Sequence, residues 1–277
     1  MHGSKRFCSA ANESLLYFSM MIASMLIGLG LMLALFAIVW AIGVKIRNYS
    51  FLDVIWSYGV AILAPLYAAV GPGDGPRKCA FTLLGMAWSL RLGTYLFFRV
   101  LKHHPKEDVR YEGLRKRWSS SGMFLLFHEL QAVLVVIFAL PFLFAAWSPA
   151  PVQPLDGIGL ATALLAVAGE SIADHQMRRF KKDPANHGRV CDVGLWHYSR
   201  HPNYFFEFLV WVGFAAASLT MPHGWITLLC PALMYYFLHQ VTGIPLTEEY
   251  ALKSKGDAYR EYQRTTSAFV PWSPKRV

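Results

Sequence analysis

The sequence predicts an all-α integral membrane bundle of seven transmembrane helices, and three observations carry that expectation. Only 16% of the 277 residues are charged, against 55% hydrophobic and 15% aromatic, where a soluble chain carries about 25% charge. From Leu15 to Val44 no residue is charged, a stretch well beyond the roughly 20 apolar residues that cross a bilayer core. Lysine and arginine, finally, concentrate in alternate loops between apolar segments.

The first span is expected over 15–44. Lys5 and Arg6 precede it, but the apolar run is far longer than a signal core of about 7–15 residues, so it reads as a retained span and not a cleaved leader. The second, 50–70, opens with Asp53, Trp56 and Tyr58 and stops at the turn-forming Gly71-Pro72-Gly73-Asp74-Gly75-Pro76. The third, 79–101, carries Arg91, Tyr95 and Arg99 at steps of four, one helical face. The fourth, 123–147, holds His128, Glu129 and Gln131 and runs into Pro149-Ala150-Pro151. The fifth, 157–177, ends with Glu170, Asp174 and Arg178, again spaced by four. The sixth, 204–220, starts beside Asn203 and places Glu207 one turn on, and the seventh covers 225–242.

Charge orients these spans. Lys102, Lys106, Arg110, Arg115, Lys116 and Arg117 lie between spans three and four. Arg178, Arg179, Lys181, Lys182, Arg189 and Arg200 lie between spans five and six, with a further basic cluster in the C-terminal tail. Loops 148–156 and 221–224 contain no lysine or arginine. Positive charge faces the cytoplasm, so the N-terminus is expected outside and the C-terminus inside. Arg77 and Lys78 are the exceptions. The formal net charge of +9 then reflects loops facing anionic lipid, with no nucleic-acid partner, and no obligate protein partner is inferred. Four cysteines, Cys8, Cys79, Cys191 and Cys230, are too scattered for a disulfide framework and are expected as free thiols. The histidines are equally scattered and no metal site is expected. No G-x-G-x-x-G opens a helix, which excludes a soluble dinucleotide fold.

Ionisable residues inside spans are costly and mark function by default. Any one of them could be a buried ion pair between helices. Several charged faces at the same ends of spans three, five and six instead point to one polar cavity.

The segment from Lys181 to Gly188 reads K-x-x-P-x-N-x-G, and Gly194 to Glu207 reads G-L-W-x-Y-S-R-H-P-N-Y-x-x-E. With W-S-L-R-L-G-x-Y-L from Trp88, E-D-V-R-Y from Glu107, T-G-I-P-x-x-E-E-Y from Thr242 and Y-Q-R-T-T-S-x-F-V-P from Tyr262, the chain resembles the bacterial branch of the steroid 5α-reductase C-terminal domain family. The resemblance implies a single membrane domain whose spans over 15–147 take substrate and whose 157–277 part binds NADPH. It implies reduction of the Δ4 double bond of a 3-oxo steroid or a similar lipid enone. Cofactor contacts are implied at Asp174, Arg178, Lys181, Asn186, Tyr198, Arg200, His201, Asn203, Glu207 and Tyr250. A catalytic tyrosine is implied at Tyr95, with Asp53 as its acid partner where the family has a glutamine–glutamate pair; Val54 stands where the glutamate is expected, and Glu129 is the reserve acid. A cation-rich loop suits the 2′-phosphate of NADPH. Two alternatives stay open: a membrane methyltransferase using S-adenosylmethionine, which carries a similar R-H-P-x-Y with a later glutamate pair (here Arg200–Tyr204 and Glu248-Glu249), and a non-catalytic lipid-binding protein.

Overall fold

The computed structural model describes residues 2–118 and 120–275, with side chains from Leu16 onward; Cys8, Lys5 and Arg6 therefore lie outside the described side chains. Among the described residues the regular structure is all helical, and the one β-contact is an isolated bridge between Ser199 and Ser267. Four helical segments are long and apolar enough to cross a membrane: Leu16–Ile46, Phe51–Val70, Ser121–Phe138 and Pro154–Lys182. The all-helical membrane architecture expected from composition holds at that level. The chain divides into two compact units, one up to Val152 and one from Gln153.

The first unit contains α1 (His2–Ile46), α2 (Phe51–Val70), α3 (Gly75–His103), α4 (Val109–Arg117), α5 (Ser121–Phe138) and α6 (Leu140–Trp147). Here α2 packs mainly on α3, and α1 on α5, around a core of Leu63, Tyr67, Phe81, Trp88, Phe124 and Phe138. The expected fourth span is broken in two. Pro141 has no N–H to bond the carbonyl one turn back, so α5 stops at Phe138 and α6 restarts with Pro141 in its first turn. The basic stretch between spans three and four, read from sequence as a loop, contains α4, capped by Asp108 accepting from Arg110 N at 3.0 Å.

A serine from α3 completes the backbone of α2. Ser89 Oγ accepts from Ala61 N at 2.9 Å and donates to Ser57 O at 2.5 Å. It thus bridges the two groups that would otherwise bond each other, one turn before the in-helix Pro65. Ser89→Ala is expected to destabilise the fold by about 1–3 kcal/mol, the cost of leaving buried backbone groups unsatisfied. The readout is the apparent melting temperature in detergent; a wild-type value would mean α2 recloses its own bond.

Arg77 and Lys78, the two exceptions to the charge pattern, are consumed locally. Arg77 is 1% exposed and donates to Ser148 Oγ, to Ala150 O and, at 2.7 Å, to Pro151 O. Lys78 Nζ donates to Gly71 O at 2.8 Å. Their cations knit a turn together at this end of the unit.

The second unit contains α7 (Pro154–Lys182), α8 (Leu195–Tyr198), α9 (Pro202–Ser218), α10 (Leu229–Tyr236), α11 (Ile244–Lys255) and α12 (Asp257–Thr265), with a 3-10 turn at Gly224–Leu228 before α10 and a π-helical turn at Phe237–Val241 after it. The α7–α9 pair dominates its packing. A Cβ on Gly159 would stand 2.5 Å from Ala217 N, and one on Gly213 would stand 2.6 Å from Gly159 O. Only glycine at both positions allows this backbone approach, the small-residue contact that draws membrane helices together without a hydrophobic drive. Asp156 closes the start of α7, accepting from Gln153 N at 2.6 Å and from Thr220 at the end of α9 at 2.6 Å.

Candidate functional site

The second unit positions its polar residues from three elements. The last turns of α7 carry Glu170, Asp174 and Arg178, with Glu170 buried and Arg178 exposed. Arg179, Lys181 and Lys182 follow in the final turn, where cations complement the negative end of the helix dipole. The chain then folds back along α7. Asp183 caps a short turn by accepting from Ala185 N at 2.9 Å, and Asn186 Nδ2 donates to Phe180 O at 3.2 Å. Leu195 N donates to Gln176 Oε1 and the Trp196 indole to Ala173 O, both at 2.9 Å. Gly194, at φ +62°, lies directly against the Gln176 side chain, a turn only glycine makes without strain. The return leaves Lys181, Lys182 and Arg189 exposed.

From there the R-H-P-N-Y stretch enters α9. Asn203 sits in the first turn, and its Oδ1 is buried with no hydrogen-bond donor among the described residues. Glu207, one turn on, accepts from the Trp211 indole at 3.0 Å. Tyr198 is exposed, and its carbonyl accepts from Trp272 N at 2.9 Å.

Arg200 and His201, expected as cofactor contacts, are both joined to Glu248, part of the glutamate pair that the methyltransferase alternative shares. Arg200 Nε donates to Glu248 Oε1 at 2.7 Å, and its Nη1 donates to the carbonyls of Gln263 and Thr266 at 3.0 and 2.6 Å. His201 Nε2 lies 3.1 Å from the same Glu248 oxygen, and Gln263 Nε2 donates to Glu248 Oε2 at 2.7 Å. The group is nearly closed to solvent: the side chains of Arg200, Glu248 and His201 are 10, 13 and 3% exposed. Burial pushes the Glu248 carboxyl up, but the hydrogen bonds from His201, Arg200 and Gln263 outweigh it and hold the group at about 2. Burial lowers His201, an effect the hydrogen bond and charge of Glu248 only partly offset. Tyr204 stacks on His201, centroids 5.3 Å apart, and its hydroxyl meets Thr247 Oγ1 at 3.1 Å. Tyr250, two positions beyond Glu248 and hence on the other side of α11, is exposed beside Lys253. It is the one expected contact from α11 that stays out of this cluster.

In the first unit Tyr95 is half-buried on α3, one turn before Arg99. Asp53 is held by other residues. Arg110 Nη2 donates to Asp53 Oδ2 at 2.5 Å, Tyr111 donates to Oδ1 at 2.8 Å, and Arg99 lies 4.0 Å away. Asp108 joins through Arg110 at 3.0 Å and Arg99 at 3.5 Å. Burial raises the Asp108 carboxyl, and Arg110 with Arg99 more than reverse it, leaving it below the ordinary carboxylate range. Tyr111 is pushed well above 10, first by burial and then by the neighbouring carboxylates. Asp53 thus reaches α3 through Arg99, one turn beyond Tyr95. Glu129 lies on α5, half-buried.

Fold and polar clusters together describe a helical protein with apolar helices long enough to cross a membrane and a buried carboxylate–arginine centre. By its sequence the chain belongs to the DUF1295 family, described as a protein of unknown function, whose model matches residues 39–266 and so spans every candidate residue from Asp53 to Gln263. It is also similar to the uncharacterized protein C594.04c of the fission yeast Schizosaccharomyces pombe, 26% identical over an alignment covering 88% of this chain and 79% of the yeast protein. No solved structure matches.

Proposed function

We propose that this protein is a membrane reductase that uses NADPH to reduce the carbon–carbon double bond of a lipid enone, a 3-oxo-Δ4 steroid being the substrate implied by the family resemblance. The observation that carries the proposal is the buried Asn203 Oδ1, which has no hydrogen-bond partner among the described residues, in a unit that exposes Arg178, Arg179, Lys181, Lys182 and Arg189 at the end of α7 and in the turn after it. A buried amide oxygen without a donor costs roughly 1–3 kcal/mol, and a ligand amide or hydroxyl removes that cost. Exposed cations on the same unit suit phosphate. Both features fit a phosphorylated dinucleotide. Asn203, Asp174, Arg178 and Glu207 would hold it, with Lys181 and its neighbours on the phosphates, while Asn186 and Arg200 shape the site through the backbone bonds described above.

When bound, NADPH supplies the hydride that adds to the β-carbon of the enone, leaving NADP⁺. Tyr95 is assigned to donate a hydrogen bond to the substrate carbonyl oxygen, where negative charge develops; a proton then adds to the α-carbon. Arg99 and Asp53 position that face of α3. The same reading takes the topology as seven spans with the cofactor residues cytoplasmic. It is supported by α9 and by the helical run from Gly224 to Val241, each about 26 Å long at 1.5 Å per residue, and by the local bonding of Arg77 and Lys78.

One observation favours a second reading. The Arg200–His201 pair and Glu248 are joined directly, which unites the R-H-P-x-Y and glutamate features of the methyltransferases. The test is ligand-induced stabilisation of the full chain in detergent, alongside consumption of NADPH in the presence of progesterone or testosterone. NADPH is expected to bind at least about tenfold more tightly than NADH, the 1.4 kcal/mol that one charge-assisted contact readily supplies, and to be oxidised only with steroid present. Stabilisation by S-adenosylmethionine and not by NADPH would replace the reductase with the methyltransferase.

A further inference from the structure

The first unit carries a second charged centre that the proposed reduction does not use. A hollow of about 550 Å³ is lined by Arg47, Pro105, Lys106, Glu107, Glu112, Arg115 and Lys116. Its charges are unequally engaged. Glu107 is buried and bound on both oxygens by Arg115, at 3.0 and 2.8 Å, and it also accepts from Tyr49 N at 2.7 Å. Arg115 in turn lies over the Tyr49 ring at 4.8 Å, and Tyr49 stacks on Phe124 at 4.1 Å. That pair is fixed. Arg47, Lys106 and Lys116 make no ion pair among the described residues and face one remaining carboxylate, Glu112, leaving two positive charges in excess. A comparable hollow on α12 differs in this respect: its Arg260 and Arg264 are already paired with Asp257 and Glu261.

Arg47 adds an independent clue. It ends α1 in the left-handed region at φ +55°, with Arg47 N bonded to Val44 O and Asn48 N to Gly43 O. This helix stop is usually made by glycine, because a side chain there costs about 1 kcal/mol. The chain keeps a cation where glycine would be easier, and such strain is characteristic of functional positions. The height is informative too. α1 is apolar enough to cross a bilayer up to Ile46, and its exposed Ile27, Leu31, Ile38 and Ile42 form a stripe leading to that end. Trp40, which bonds Ser121 O at 2.9 Å, is the residue type that marks the headgroup level. Arg47 and the hollow therefore lie where lipid phosphates lie.

We propose that this hollow binds the phosphodiester headgroup of an anionic phospholipid, with acyl chains along the exposed stripe of α1. Arg47, Lys106 and Lys116 contact the phosphate, and the Arg115–Glu107 pair forms the rigid wall. The site rests only on the membrane reading and is independent of the reductase assignment.

The test is native mass spectrometry of the full chain in a neutral detergent, titrated with dihexanoyl phosphatidylglycerol, dihexanoyl phosphatidylcholine or inorganic phosphate. The wild type is expected to prefer phosphatidylglycerol over phosphatidylcholine by at least about tenfold. In Arg47→Gly/Lys116→Gln the affinity for phosphatidylglycerol should fall about 30-fold, or about 2 kcal/mol for two interfacial cations. The melting temperature of that variant should hold, since glycine suits the α1 stop and Lys116 is exposed. Equal binding of the two lipids overturns the proposal, and so does undiminished phosphatidylglycerol binding by the variant. Displacement of phosphatidylglycerol by inorganic phosphate at equal concentration would make this a free-phosphate site and overturn the lipid assignment.

Discussion

Glu248→Ala is expected to destabilise the protein by about 3–5 kcal/mol, the cost of removing one partner of a buried ion pair. The geometry explains the size. Arg200 keeps its two carbonyl acceptors, Gln263 and Thr266, but loses the only carboxylate it pairs with among the described residues. His201 and Gln263 lose their acceptor at the same time. Because Arg200 N also bonds Ser267 O and Ser199 Oγ bonds Phe269 O, each at 2.8 Å, loosening Arg200 frees the C-terminal segment from the start of α9. Glu248→Gln keeps a neutral acceptor and should cost less, about 1.5–3 kcal/mol, the range of a hydrogen bond to a charged group. The readout is the apparent melting temperature in detergent, and a wild-type value for Glu248→Ala would show that the cluster contributes nothing to stability.

The same carboxylate predicts a pH dependence with a definite sign. Its folded value, about 2, lies below the ordinary 4.5. The stabilisation is therefore complete above pH 4.5 and is lost as pH falls from 4.5 toward 2. It amounts to an order of 2 kcal/mol once partial solvent screening is allowed. Glu248→Gln should remove that slope from the acid limb. An unchanged acid limb in the variant would place the titration elsewhere.

How much of this was legible in the sequence depended on the range of the interaction. The uncharged Leu15–Val44 run dictates a helix because lipid satisfies no backbone group, and α1 runs through it to Ile46. Pro141 should have signalled the break between α5 and α6, yet the apolar composition on both sides hid it. Spacing by four placed Glu170, Asp174 and Arg178 together because α-helical geometry is local. No such periodicity links Arg200 to Glu248 or Asn48–Asp53 to the loop before α4, where Asn48 Nδ2 reaches two carbonyls at 3.3 Å and Ser50 Oγ accepts from Asp108 N at 2.9 Å. These contacts join residues about 50 positions apart through single hydrogen bonds. The motifs E-D-V-R-Y and T-G-I-P-x-x-E-E-Y held the right residues without indicating what they bond. Asp53 shows the consequence: its place in the first turn of α2 is legible, while its bonds to Arg110 and Tyr111 are invisible to periodicity.

Tyr95→Phe is the substitution on which the reductase reading turns, with an expected loss in kcat of about 10²–10³, or about 3–4 kcal/mol. That is the cost of removing one donor aimed at a developing oxyanion. Hydride addition to the β-carbon moves charge onto the carbonyl oxygen, so a hydroxyl donor acts mainly on the transition state and kcat should fall far more than KM rises. Phenylalanine preserves the ring and removes only the hydroxyl. NADPH affinity should hold while kcat falls, and the melting temperature measured alongside separates a chemical role from a structural one. Asp53→Asn gives the opposite signature. It weakens the hold on Arg110 and Arg99 and should lower stability by about 1–3 kcal/mol, while reducing kcat less than Tyr95→Phe does. Undiminished turnover in Tyr95→Phe would remove the tyrosine from the mechanism. Equal losses in both variants would instead return Asp53 to the role of direct acid, with Arg99 holding it in place.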